Sequence, residues 1–457
     1  MSFPSYPEYK ELGIPWLGEI PLNWEILPFF SRFPERKHPN KGMKNNNLLS
    51  LSYGRIIKKD INTLDGLLPE SYETYQVVQE HDIVFRLTDL QNDKRSLRSA
   101  IVSEEGIITS AYLAVAAKGF DAQFANHLFR AYDLMKVFYS MGGGLRQSMK
   151  YDDMKWLPII SPSLQEQTQI ARFLDHETAK IDALICEQER LIALLQEKRQ
   201  GVISHAVTKG LDPSVPMKDS GVEWLGEVPA HWEVKPLRYL GECQNGINIA
   251  GDAFGSGFPF IGYGHVYKND VLPLETNELV RSSKLDRERY SVQRGDVFFT
   301  RTSETVDEVG FSATCFHDID SAVFAGFLIR FRPLVPDLRP EFSRYYFSNQ
   351  RLREFFNKEM NLVTRASLSQ DLLKKMEVTL PPVQEQSSIS SQLDKVTEKV
   401  DSLISEARTS SELLVERRSA LISAAVTGKI DVRDWQPPAD ESAFAPEVSE
   451  AGLEVTE

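Results

Sequence analysis

Cysteine is scarce in this chain, three in 457 residues. Cys186, Cys243 and Cys315 lie far apart and form neither a Cys-x-x-Cys pair nor a zinc spacing, so a reducing cytoplasm is expected. No apolar run approaches the roughly 20 residues needed to span a bilayer. The N-terminus is polar and proline-bearing, without the pattern of a signal peptide. A basic excess is missing too: 52 Lys and Arg stand against 65 Asp and Glu, a net charge of −13. That argues against a lone nucleic-acid binder, whose footprint is normally basic. Net charge governs solubility more than local binding, however, and a basic cleft can exist on an acidic protein. Part of the acid is set apart: Asp440, Glu441, Glu447, Glu450, Glu454 and Glu457 fall in a stretch from 436 onward without Lys or Arg. Residues 431–457 therefore read as an acidic, disordered tail.

Catalytic signatures are absent as well. There is no GxxxxGK[ST] phosphate loop, no HExxH helix and no GxSxG elbow. Gly255-Ser256-Gly257 and Gly262-Tyr263-Gly264 lack the strand–turn–helix context of a cofactor fingerprint. The eight histidines are scattered, with no ligand spacing. No Asn-Pro-Pro-aromatic or Asp-Pro-Pro-aromatic tetrapeptide occurs, as an adenine methyltransferase would normally carry. The expectation is a chain with no catalytic residues, no metal site and no cofactor of its own.

What the chain does have is a repeat. Gly13-Ile14-Pro15-Trp16-Leu17-Gly18-Glu19-Ile20-Pro21 returns as Gly221-Val222-Glu223-Trp224-Leu225-Gly226-Glu227-Val228-Pro229, and Trp24-Glu25 as Trp232-Glu233, all 208 positions later. Glu197-Lys198-Arg199 to Ala206-Val207-Thr208 returns as Glu416-Arg417-Arg418 to Ala425-Val426-Thr427, 219 positions later. Constant ends flank a variable middle. Two similar modules that recognise different things are expected.

Residues 164–208 and 383–427 carry the strongest local pattern. Aligned at the 219 offset, they share a heptad seam: Ile170, Leu174, Ile181, Leu184, Leu191 and Leu195 in the first, Ile389, Leu393, Val396, Val400, Leu403 and Leu414 in the second. With Glu177 and Gln188 included in the first seam and Ala407 and Ser410 in the second, the steps alternate between three and four, as in a coiled coil. Ser163 with Glu166 fits a capping box, and Pro382 suits a first helical turn. Each helix would be about 65–70 Å long. The stripes call for mutual pairing, since two exposed apolar stripes would invite aggregation; packing of each helix on its own module is the alternative. A two-fold axis across the helices makes the pairing antiparallel, with Ile170 opposite Leu421, Leu195 opposite Val396 and Glu177 near Arg417.

The middles mix short β-branched and aromatic runs (Asp82-Ile83-Val84-Phe85, Ile107-Ile108-Thr109, Asp296-Val297-Phe298-Phe299, Phe327-Leu328-Ile329) with the aromatic-rich, helix-spaced segments 124–139 and 341–358. An α+β module results in each half. Leu145-Arg146-Gln147-Ser148 aligns with Thr364-Arg365-Ala366-Ser367, after a Gly142-Gly143-Gly144 loop in the first copy. Glycine lets a backbone approach a phosphate, and arginine can fork two donors to phosphate or guanine. Arg146, Gln147, Lys150, Arg365 and Ser367 are thus candidate DNA contacts, as are Lys94, Arg95 and Arg98 in one donor-rich loop and Arg301 and Thr302 in another. The plainer readings are an arginine paired with a nearby aspartate to fix a loop, and a loop that is merely solvated.

Taken together, these motifs resemble the specificity subunit of a type I restriction–modification enzyme. The residues that carry the resemblance are Gly18 to Trp24, Gly226 to Trp232, Gln165-Glu166-Gln167 with Phe173-Leu174-Asp175, Pro381 to Gln386, Glu197 to Asp212, and Thr427 to Asp431. It implies target recognition domains at 1–160 and 213–380, conserved spacer helices at 161–212 and 381–430, and the tail beyond. It further implies an asymmetric bipartite target on double-stranded DNA. Two methyltransferase subunits would bring S-adenosylmethionine and modify adenine, and restriction subunits would cleave with ATP and Mg²⁺. The specificity subunit itself would catalyse nothing, in a prokaryotic cytoplasm and on the nucleoid. Two other classes stay open: a coiled-coil adaptor with two protein-binding modules, and a stand-alone nuclease or methyltransferase with a cryptic site.

Overall fold

A computed structural model of the chain describes residues 3–62, 71–90, 97–141, 148–249, 251–303, 309–359 and 366–438. The fold is α+β, and its contacts divide it into two compact units, Met1–Gln188 with Thr409–Glu457, and Glu189–Arg408. Two long helices, Leu164–Lys209 and Val383–Val426, run through both units. The first begins at the expected cap: the Glu166 amide donates to Ser163 Oγ at 3.3 Å, and Ser163 Oγ donates back to Glu166 Oε2 at 3.0 Å.

In the first unit the opening motif forms an antiparallel pair, Tyr9–Glu11 with Glu19–Pro21. Trp24 follows, fully buried, with its indole N–H donating to Glu166 Oε1 at 3.3 Å. Glu25–Pro28 then pairs with Pro158–Ser161, the strand that leads into the long helix. Between them lie a four-stranded sheet and a three-stranded sheet built around Ile83–Phe85. Helix Ala122–Leu134 starts on Asp121, whose carboxylate accepts from the Phe124 amide at 2.9 Å. It buries Phe124, Leu128, Phe129 and Tyr132, so the helix-spaced aromatics are core.

The second unit repeats this frame. Met217–Asp219 pairs with Glu227–Pro229, Trp232 is buried, and Glu233–Pro236 pairs with Glu377–Leu380. Val297–Thr300 lies inside a four-stranded sheet, and helix Pro340–Ser348 buries Phe342, Tyr345 and Tyr346. The tethers recur in detail. Tyr132 Oη donates to the Pro158 carbonyl at 2.9 Å, and Tyr346 Oη to the Glu377 carbonyl at 2.8 Å.

A second repeat lies inside the segments that read as variable. Val78-Gln79-Glu80-His81-Asp82 and Val292-Gln293-Arg294-Gly295-Asp296 make one turn twice. The aspartate amide donates to the glutamine carbonyl (3.0 and 3.1 Å), and the aspartate side chain accepts from the glutamine amide (2.8 and 2.9 Å). His81 at φ 70° and Gly295 at φ 93° hold the left-handed position. Each aspartate is buried and paired with an arginine, Asp82 with Arg36 and Asp296 with Arg332.

The long helices are antiparallel within each unit, but in a register other than the expected one. Arg418 pairs with Asp182 in the first unit, and Arg199 with Asp401 at 2.9 Å in the second. These are the same pair at the 219 offset. They displace the register by about nine residues, or ~13 Å of helix, from the one that set Ile170 opposite Leu421. Gln169 accordingly reaches past the end of the second helix to the carbonyls of Val432 (3.1 Å) and Trp435 (2.6 Å). Apolar contact is non-directional and left the register open; the matched ion pairs mark the one adopted.

The buried stripe also drifts from the heptad. Ile170, Leu174, Ile181, Ile389, Leu393 and Val400 are buried, and Leu195, Val396 and Leu414 half-buried. Leu184, Leu191 and Leu403, assigned to the seam, are 45%, 44% and 40% exposed. Ile185, Ile192 and Ile404 take the inner places. The reason is periodicity: a stripe at 3.6 residues per turn advances ahead of a strict 3.5 repeat.

The tail is corrected in its first residues. The Asp431 amide donates to the Pro4 carbonyl at 2.7 Å, Val432 is 1% exposed, and Trp435 packs edge-on against Phe173 with ring centroids 5.3 Å apart. Residues 439–457 lie outside the described part.

Candidate nucleic-acid interface

In the second unit, strand Val297–Thr300 delivers the chain to Arg301. Thr302-Ser303 then pairs antiparallel with Ala366-Ser367, with Thr302 opposite Ser367. Arg301 is held on both sides of its backbone: its amide donates to the Phe327 carbonyl at 3.0 Å, and its carbonyl accepts from the Leu368 amide at 2.8 Å. Leu368 is fully buried and anchors the ribbon, and Ser369 caps the helix Gln370–Lys375. Three expected contacts, Arg301, Thr302 and Ser367, are thus gathered from distant sequence onto one ribbon. Ser367 is exposed, and Arg301 and Thr302 are half-exposed. Arg365 lies outside the described residues.

A third segment joins them. The Leu328 amide closes a turn on the Ala325 carbonyl at 3.0 Å, and the Gly326 amide donates to the Ile247 carbonyl at 2.9 Å. Asn248 packs so closely that a Cβ on Gly326 would lie 2.0 Å from its Oδ1. Phe327 projects from this turn, 63% exposed, and precedes the strand Leu328–Pro333 instead of belonging to it. Neither Asn248 nor Phe327 stood out in the sequence. Phe327 begins a β-like run, and only its place on a braced turn distinguishes it from a strand residue.

The first unit uses the same tie: the Met149 amide donates to the Leu87 carbonyl at 2.9 Å, matching Leu368 to Arg301. Lys150 is exposed and opens the short helix Tyr151–Met154, its amide donating to Asp153 Oδ2 at 2.7 Å. Lys94, Arg95, Arg146 and Gln147 lie outside the described residues. Arg98 does not suit the role expected of it. It is fully buried, and its guanidinium donates to the Thr88 carbonyl at 3.1 Å and to Tyr139 Oη at 3.4 Å. A buried arginine needs its donors paired, and here they brace the stem of a loop from within.

Beside it the Arg98 amide donates to Asp133 Oδ2 at 2.6 Å, while Asp133 Oδ1 is buried without a partner. Burial raises the Asp133 carboxyl above its ordinary range, against the lowering effect of that bond and of Lys136, Arg130 and Arg98. Arg130 is itself pulled down to about 10 by burial. Among the described residues no group of three His, Cys, Asp or Glu could hold a metal ion, and no helix is long and apolar enough to cross a membrane.

The geometry has relatives. A family model described as the type I restriction modification DNA specificity domain matches residues 229–409. The chain is 28% identical over 297 residues to the type I restriction enzyme EcoKI specificity subunit of Escherichia coli, covering 62% of this chain and 59% of that protein. It is 22% identical over 379 residues to the MjaVIII specificity subunit of Methanocaldococcus jannaschii, covering 78% and 81%. The alignment thus spans less than two thirds of the first relative's length. A solved chain from the type I R-M system shares the fold with a TM-score of 0.65 at 17% identity, covering 89% of this chain and 98% of that one. With a repeated frame of paired strands and long antiparallel helices, and a specificity-domain match over residues 229–409, the chain is similar to the type I restriction–modification specificity subunits.

Proposed function

We propose that this chain is the sequence-reading subunit of a type I restriction–modification complex, binding double-stranded DNA at an asymmetric bipartite target. The observation that carries the reading is one backbone device with two sets of side chains. Met149 to Leu87 and Leu368 to Arg301 are the same hydrogen bond in the two units, yet the residues around them differ. A frame that repeats while its readers diverge suits two unlike half-sites. Base-edge contacts specify sequence, and lysines and arginines on phosphate fix position. The second unit's ribbon offers Arg301, Thr302 and Ser367 for this purpose.

The chemistry would then fall to partners: two methyltransferase subunits with S-adenosylmethionine that modify adenine, and restriction subunits that cleave using ATP and Mg²⁺. This chain would contribute no catalytic group. The two long helices, shared by both units, would set the gap between half-sites. The test is methylation mapping of host DNA with and without the chain. The expected result is one bipartite adenine-methylated motif that disappears with the chain. An unchanged methylation pattern overturns the proposal.

A further inference from the structure

We propose that Phe327 is a specificity-determining residue of the second unit, reading a thymine through its C5-methyl group in the major groove; this rests on the DNA-reading role proposed above. Burying a phenylalanine is strongly favourable, so an aromatic ring left 63% exposed on a braced turn forgoes stability. The turn is not loosely held. Backbone bonds tie it to Arg301, Ile247 and Leu328, and Asn248 packs on Gly326. Among the described residues no other aromatic ring stacks on Phe327. Its carbonyl accepts from the Arg301 amide, Asn248 packs on the preceding Gly326, and the chain runs from Arg301 into the ribbon that pairs Thr302 with Ser367. An apolar ring among fork, amide and hydroxyl donors has the composition of a major-groove reader, where phenylalanine meets the one apolar group on a base edge, the thymine methyl.

The first unit contains the same turn. Its Tyr112 amide donates to the Thr109 carbonyl at 3.1 Å, as Leu328 does to Ala325. Strand register agrees, since Leu113 pairs with Phe85 as Ile329 pairs with Phe299. The residue that corresponds to Phe327 is therefore Ala111, also exposed. A surface for a partner common to both halves would recur in both. A ring present in one half alone suits the property in which the halves differ, the sequence they read.

The experiment uses the full chain assembled with its methyltransferase subunits and a duplex carrying the mapped target. Each thymine is replaced in turn by deoxyuridine, which keeps base pairing and removes only the methyl. Wild type is expected to lose about fourfold in affinity at one thymine of one half-site. Phe327→Ala is expected to bind the thymine duplex about fourfold more weakly and to stop distinguishing thymine from deoxyuridine there. Phe327→Leu should keep part of that discrimination. If Phe327→Ala binds like wild type, or weakens both duplexes equally so that the thymine preference persists, the proposal is overturned; the second outcome would mark the ring as a wedge or a structural prop. If the assembled wild type recognises no target at all, the DNA-reading role fails first.

Discussion

Asp133 shows how one buried group makes stability depend on pH. Its carboxyl is raised by desolvation, so the folded state holds the proton more tightly than the unfolded chain, where the pKa is about 3.9. The stability it contributes is present below that value and is lost as pH rises through the folded pKa. Asp133→Asn cannot titrate. The stability of wild type relative to this variant should therefore fall as pH rises from the acid side of the unfolded pKa, and level off above the folded one. Thermal unfolding across that range is the measurement, and a difference that grows with pH would contradict the sign. The same neighbourhood shows what sequence conceals at this scale. Arg98 sits in a run of donor residues and reads as a solvent-facing contact. Its fate is decided by Thr88 and Tyr139, which no local pattern brings to it. Arg301, Thr302 and Ser367 were legible as polar loop residues, whereas their meeting on one ribbon depends on long-range pairing.

Among the elements, the helices were the most legible and their packing the least. Residues 164–208 and 383–427 give their length, cap and sidedness away, because periodicity and capping are local. The inner face was missed by one residue at Leu184, Leu191 and Leu403, where leucine and isoleucine are adjacent and the pattern admits either. Ile404→Ala is expected to cost about 2–4 kcal/mol as a buried truncation, and Leu403→Ala less than about 1 kcal/mol. Chemical denaturation of the two variants checks the order, and the reverse order would restore the heptad seam. The turn shared by Gln79–Asp82 and Gln293–Asp296 was legible in principle. His81 and Gly295 hide the match in sequence, although both serve one left-handed position.

For the whole molecule, the opening repeat has acquired physical content. The frame recurs in the buried tryptophans, in the tyrosine tethers and in the helix ion pairs. The first unit is completed by the far end of the chain: Tyr9 Oη donates to the Gly428 carbonyl at 3.0 Å, and Gly428 lies so near Pro21 that a Cβ would come within 2.4 Å of its Cδ. The matched ion pairs Asp182–Arg418 and Arg199–Asp401 have a genetic consequence. Both helices pass through both units, so a deletion in one helix alone cannot keep both pairs aligned. Removing seven residues, close to two turns, between Asp182 and Arg199 should therefore abolish methylation in cells. An equal deletion between Asp401 and Arg418 should act as an intragenic suppressor, restoring methylation on a target with an altered gap. Either deletion alone behaving like the double would show the helices to be uncoupled. Changes in spacer length would then be inherited as paired events, each lesion silent only in the company of its twin.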